Sequence, residues 1–204
     1  MENPHDAVVI PEPKFAEFLF ADTRMAWVWL ILRLYVGYEW VTAGWEKLTS
    51  PAWAGAQAGS AVRGFLQGAA AQATGAHPAV QSWYASFITS AAIPHAVLFS
   101  YLVTYGELAV GAGLILGVFT GIAAFFGAFM NINYLFAGAV STNPLLLLIE
   151  LFLILAWRNA GWLGIDRWLL PWLGVPWKPG SEFQHHSPAA PAQTPSASPQ
   201  APQS

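Results

Sequence analysis

The chain has 204 residues, 55% hydrophobic and only 9% charged, with 11 Trp and 13 Phe. A water-soluble domain of this length carries about 25% charged residues, so the composition points to a bilayer as the solvent. A net charge of −3 without a basic block argues against nucleic acid as a partner, and the absence of cysteine excludes disulfide exchange, iron–sulfur clusters, thiolate metal sites and covalently attached haem.

Residues 1–24 contain Glu2, Asp6, Glu12, Glu17 and Asp22, the opposite of a basic leader, so the first apolar run is expected to stay as a permanent span. Phe15, Phe18 and Leu19 suit a short helix lying at the interface on the cytoplasmic side. Crossing hydrocarbon about 30 Å thick takes about 20 helical residues. Four runs approach or exceed that length: 25–48, 94–118, 120–139 and 143–160. Pro94 and Asn143-Pro144 suit first helical turns. The expected fold class is all-α: an integral membrane four-helix bundle with short interfacial helices and a disordered C-terminal tail.

The loop 49–92 has weak helical character in its Ala/Gly/Gln-rich first half. Its second half puts Val80, Trp83, Tyr84 and Phe87 on one helical face, as in a helix packed over the bundle mouth. After the fourth span, Trp168, Leu169 and Trp172 predict an interfacial helix over 161–177, and the Pro/Ala/Ser/Gln-rich tail 178–204 is expected to be disordered. Lys14, Arg24, Arg158, Arg167 and Lys178 fall at the termini, against Lys47 and Arg63 on the other side. The positive-inside rule then puts both termini in the cytoplasm and the long loop outside.

Counting depth at about 1.5 Å per residue places Arg33 and Glu39 about 5 Å either side of the centre of span one. Glu107 falls near the centre of span two, Asn131 and Asn133 near that of span three, and Glu150 slightly outward in span four. Two unpaired charges in a helix cost roughly 5–7 kcal/mol, and the seven Val, Leu and Ile side chains of span one return only roughly 2–4. Arg33 and Glu39 are therefore expected to face the interior. Arg33, Gly37, Trp40, Gly44 and Lys47 share one helical face, while Glu39, Thr42 and Glu46 lie about 120° away. An Arg33–Glu107 pair across the first two spans is the leading expectation. Register-setting ion pairs and interhelical amide bonds would explain some of these groups, but the whole set suggests a polar site near the midplane.

The stretches RLYVGYEWVTAGWEKL and ELAVGAGLILGVFTG, with the later MNINYLFAGAVSTNP, resemble the DoxX/DoxD family of small four-helix membrane proteins. The matching residues are Arg33, Gly37, Gly44, Lys47 and Leu48 in the first helix, and Glu107, Gly111, Gly113, Gly117 and Thr120 in the second; the likeness covers about residues 25–160. The long external loop favours the DoxD-like side. The resemblance implies a membrane subunit of the thiosulfate:quinone oxidoreductase type, with a quinone as cofactor and a second membrane or soluble redox subunit, or a further copy of the chain, as partner. A non-enzymatic anchor or assembly partner of a redox complex is the alternative, and a small transporter or proton path is a third.

A quinone needs an apolar slot, aromatic walls, donors at its carbonyls and a proton source. Arg33, Glu39 and Glu107 are the expected catalytic residues. Tyr38, Trp40, Tyr105, Asn131, Asn133, Tyr134 and Glu150 are the expected quinone-binding ones. No metal site is expected: His95 and His77 read as interfacial residues rather than haem ligands, and His5, His185 and His186 fall in the ends.

Overall fold

The computed structural model describes residues 12–175. The expected disordered tail, with His185 and His186, and the first residues, with His5, lie outside the described residues. Within them the chain is all-helical. It begins with α1 (Lys14–Ala21), a 3₁₀ turn at Thr23–Met25, and the long α2 (Ala26–Thr49). Ser50 adopts an extended conformation ahead of Pro51, which ends α2 and starts the short α3 (Pro51–Ala54). The long segment between α3 and the next long helix then forms α4 (Ser60–Ala71), α5 (Ser82–Phe87) and a π-helical turn at Ile88–Ala92. It is more ordered than its composition predicts.

Next come α6 (Ala96–Leu116) and α7 (Thr120–Phe136), joined by a tight turn in which Gly117 takes the left-handed conformation (φ 66°) and returns its N–H to Gly113 O. After Gly138, also left-handed, α8 (Asn143–Leu155) opens on Asn143-Pro144 and stops at Ala156. The fourth expected span is thus split, with α9 (Trp157–Ala160) following a break. There Asn159 Nδ2 donates to Asp22 O (2.7 Å), fastening this corner to the N-terminal segment. The last element is α10 (Asp166–Trp172).

The long helices pack α2 on α6, α6 on α7, α7 on α8, and α8 back on α2. Close approach of α2 and α6 depends on missing side chains: a Cβ on Gly111 would stand 2.6 Å from Val41 N, and one on Gly44 2.9 Å from Leu108 N. The segment carrying α4 and α5 seats Val80, Tyr84 and Ile88 against Ala69 and Ala137, while Trp83 and Phe87 turn outward. The face expected from the sequence is therefore split, with the i, i+4, i+8 row inside.

Polarity is inverted relative to a water-soluble bundle. Arg33, Thr104, Glu107, Thr120, Asn131, Glu150 and Asp166 are buried, whereas Ile31 and Leu34, Leu98 and Leu102, Phe125 and Phe129, and Leu148 and Leu155 project outward from α2, α6, α7 and α8. Among the described residues α6 is the one helix both long and apolar enough to cross a membrane by itself, with α7 and α8 shorter apolar helices. Although α2 is 24 residues long, it carries Arg33, Glu39, Glu46 and Lys47.

Candidate functional site: a buried polar core in two parts

The interior stripe of α2 comprises Trp29, Arg33, Val36, Gly37, Trp40 and Gly44, at alternating three- and four-residue spacing. From it Trp40 Nε1 donates to Glu150 Oε1 of α8 (2.6 Å), and Asn131 Nδ2 of α7 donates to Glu150 Oε2 (2.7 Å). Both oxygens of this fully buried carboxylate are thus held by neutral donors. Close packing lets them reach it: Gly127 of α7 leaves the space that Glu150 Oε1 occupies, and a Cβ there would collide with it.

Glu107 of α6 accepts from Tyr134 OH at Oε1 (2.7 Å), while its Oε2 lies 2.8 Å from Lys47 Nζ. The Lys47 contact is an ion pair without hydrogen-bond alignment. The indole of Trp40 stands 6.4 Å from the Tyr134 ring, so the Glu150 and Glu107 clusters adjoin through two aromatic side chains. Lys47 is partly exposed and its ammonium lies 5.2 Å from the Trp53 ring of α3, at the C-terminal end of α2. The core therefore reaches from two buried carboxylates to a cation at the edge of the bundle.

The expected Arg33–Glu107 pair is not formed. Arg33 belongs to a second polar centre, where its Nη2 donates to Leu163 O (3.0 Å) and its Nη1 fills the space left by Gly117 and Gly164. Asp166 sits there too, accepting from the backbone N–H groups of Phe119 (2.6 Å) and Thr120 (2.8 Å) and so capping α7 from a distant helix. Ten residues of α6 separate Gly117 from Glu107, about 15 Å at 1.5 Å per residue. Helical side chains tilt toward their own N-terminus. In this antiparallel pair Lys47 and Glu107 lean toward one another, whereas Arg33 leans away. Depth counting alone misses that direction.

The remaining expected residues are distributed differently. Glu39 is only partly buried, beside exposed Thr42 and Glu46, and does not join the cluster. The stripe of α2 passes about 120° from it, so it faces the flank. Tyr38 and Tyr105 are 64% and 54% exposed and stand on the outer surface. Asn133 bonds with α5, accepting from Tyr84 OH at Oδ1 (3.0 Å). Hence Trp40, Glu107, Asn131, Tyr134 and Glu150 come together, and Arg33, Glu39, Tyr38, Tyr105 and Asn133 do not. Sequence reasoning left Lys47 and Asp166 out of the site. Lys47 was legible, being on the Arg33 stripe; Asp166 carried no local signal, because it caps a helix 46 positions away.

An interior of partnered carboxylates and amides inside a shell of outward Leu, Ile and Phe defines the membrane class of helical proteins, whose solvent is lipid. The DoxX family model matches residues 28–139, more than half of the chain, and the protein belongs to the DoxX family of membrane proteins. Lys47, Glu107, Asn131 and Tyr134 fall inside the matched segment, and Glu150 and Asp166 lie beyond it. No curated protein and no solved structure matches the chain.

Proposed function

We propose that this protein is a four-span membrane bundle formed by α2, α6, α7 and α8, with both termini cytoplasmic, and that it serves as the membrane subunit of a quinone-linked redox system of the thiosulfate:quinone type. The observation that carries the reading is the ion pair of buried Glu107 with Lys47 at the external mouth, adjoining Glu150 through Tyr134 and Trp40. That arrangement holds protons or charge inside the membrane and opens to one side. Residues with the donor chemistry for a quinone carbonyl are present: Trp40, Asn131 and Tyr134, with Asn131 Oδ1 left unpartnered. Each of the three donors now serves a carboxylate. When bound, a quinone would supply a two-electron, two-proton acceptor. Lys47 would hold the Glu107 carboxylate, and the paired helices would exclude water. Thiosulfate is an anion, and Lys47 and exposed Arg63 are the cations on the external side to meet it.

The test is the purified protein, with any co-purifying chain, in nanodiscs containing quinone. Thiosulfate should then reduce the quinone, and Glu107→Gln should slow the reaction. No turnover with or without a partner chain overturns the redox reading. The second reading, a non-enzymatic anchor or assembly partner, is favoured by a specific observation: both oxygens of Glu150 and of Glu107 already have protein partners. On that reading Glu107→Gln lowers recovery of the partner chain, with no substrate-dependent electron flow in either protein.

A further inference from the structure

Beyond the polar core, a shallow groove with about 400 Å³ of space, open along one side, lies at the α10 end of the molecule, lined by Leu116, Leu163 and Ile165 together with Trp162, Arg167 and Trp168. Its volume falls in the range of small-molecule sites, about 300–1,000 Å³. Its wall is pinned. Ile165 N donates to Leu116 O (3.2 Å), Asp166 N to Gly117 O (2.8 Å), and buried Arg33 holds Leu163 O from behind. The 162–166 turn is thereby locked to the α6–α7 corner.

The lining carries one charged side chain, Arg167. The Arg167 guanidinium lies 4.9 Å from the Trp162 ring, at an exposed position. The neighbouring carboxylate, Asp166, is buried and committed to Phe119 N and Thr120 N, so it does not neutralise Arg167 at the mouth. Arg158, 5.4 Å from the Trp157 ring, adds a further aromatic-backed cation at the same end, where Arg24 is paired with Asp22. Trp168 and Trp172 are 69% and 80% exposed, as side chains at a headgroup layer are.

We propose that this groove binds one anionic phospholipid of the cytoplasmic leaflet, with the phosphate on Arg167 and the upper acyl chain against Leu116, Leu163 and Ile165. The inference rests on the reading above that the α10 end meets a bilayer surface. Arginine is suited to phosphate because its planar donors pair with two oxygens at once. Lipid bound here rests on the same turn that Arg33 grips.

The test uses the full chain in nanodiscs of equal parts phosphatidylglycerol and phosphatidylcholine, with native mass spectrometry of the retained lipid. The wild-type protein should retain phosphatidylglycerol in preference to phosphatidylcholine by about fivefold, the effect of one basic residue near an anionic surface. Arg167→Gln should abolish that preference, and so should Ile165→Trp, which fills the groove without removing charge. Arg63→Gln, on the external segment, should leave it intact. A preference that survives Arg167→Gln overturns the proposal, as does bound lipid that millimolar inorganic phosphate displaces, since the site would then take free anion. Protein that enters the nanodisc without any preference overturns the lipid site alone. Protein that will not enter a bilayer overturns the membrane-spanning reading as well.

Discussion

Removing the ammonium from the Lys47–Glu107 pair tests the assignment of partners most directly. The Glu107 side chain is 2% exposed and that of Lys47 20%. Lys47→Met leaves a buried carboxylate with only Tyr134 OH, and breaking a buried pair in this way costs roughly 3–5 kcal/mol. Glu107→Gln is milder: the amide oxygen can still accept from Tyr134, and the ammonium lies near enough to the mouth to meet water, so about 1 kcal/mol is lost. With both changes neither group is left buried and uncompensated, and the double variant should recover most of the Lys47→Met loss. For a chain of this size each kcal/mol moves Tm by about 2–4 °C, which puts Lys47→Met roughly 6–20 °C below wild type. Thermal unfolding in detergent, followed by circular dichroism, reads all four corners of the cycle. Additive single effects would refute the pair. So would coupling of Glu107→Gln to Arg33→Met instead, because the arginine is held about 15 Å away along α6.

Three further outcomes follow from the geometry. Trp40→Phe removes a donor from Glu150 Oε1 and should cost about 1–3 kcal/mol, largely recovered when Glu150→Gln is added; equal losses with and without that second change would show that the indole N–H is not what matters. Gly111→Ala puts a Cβ 2.6 Å from Val41 N and should lower Tm by several degrees, whereas Gly64→Ala on α4 meets open space and should be neutral or raise stability by up to about 1 kcal/mol. Burial raises the Tyr84 phenol above its ordinary value, so the native contacts of α5 are fully present below about pH 10 and are lost as pH rises through the higher native value. Hydrogen exchange of residues 82–92 across that range, corrected for the intrinsic rate, should show the loss in wild type and not in Tyr84→Phe.

How much of the molecule was legible follows the range of the physics involved. Helix existence rests on local apolar runs and Pro/Gly punctuation, so α2, α6 and α7 lie within a few residues of their expected ends. Where the fourth helix stops could not be read locally, because Ala156 ends α8 beside a bond from Asn159 to Asp22, across the whole chain. Burial of Arg33, Glu107, Asn131 and Glu150 was also legible, since the cost of an unpaired polar group in lipid forces it inward whatever the topology. Which cation meets Glu107 was not. Counting each span from its own middle assumes that the helices stand level, and they are staggered: Gly44 rather than the centre of α2 lies against Glu107. One expected midplane site consequently becomes two polar centres. Buried Val36, Leu114 and Leu153 occupy the levels between Arg33 and Trp40 on α2, between Gly117 and Glu107 on α6, and inward of Glu150 on α8. That apolar layer separates the Arg33–Asp166 end from the Lys47–Glu107 end. Charge on the Glu107 carboxylate is therefore met by Lys47 at the partly exposed C-terminal end of α2, while the arginine locks the opposite corner of the fold.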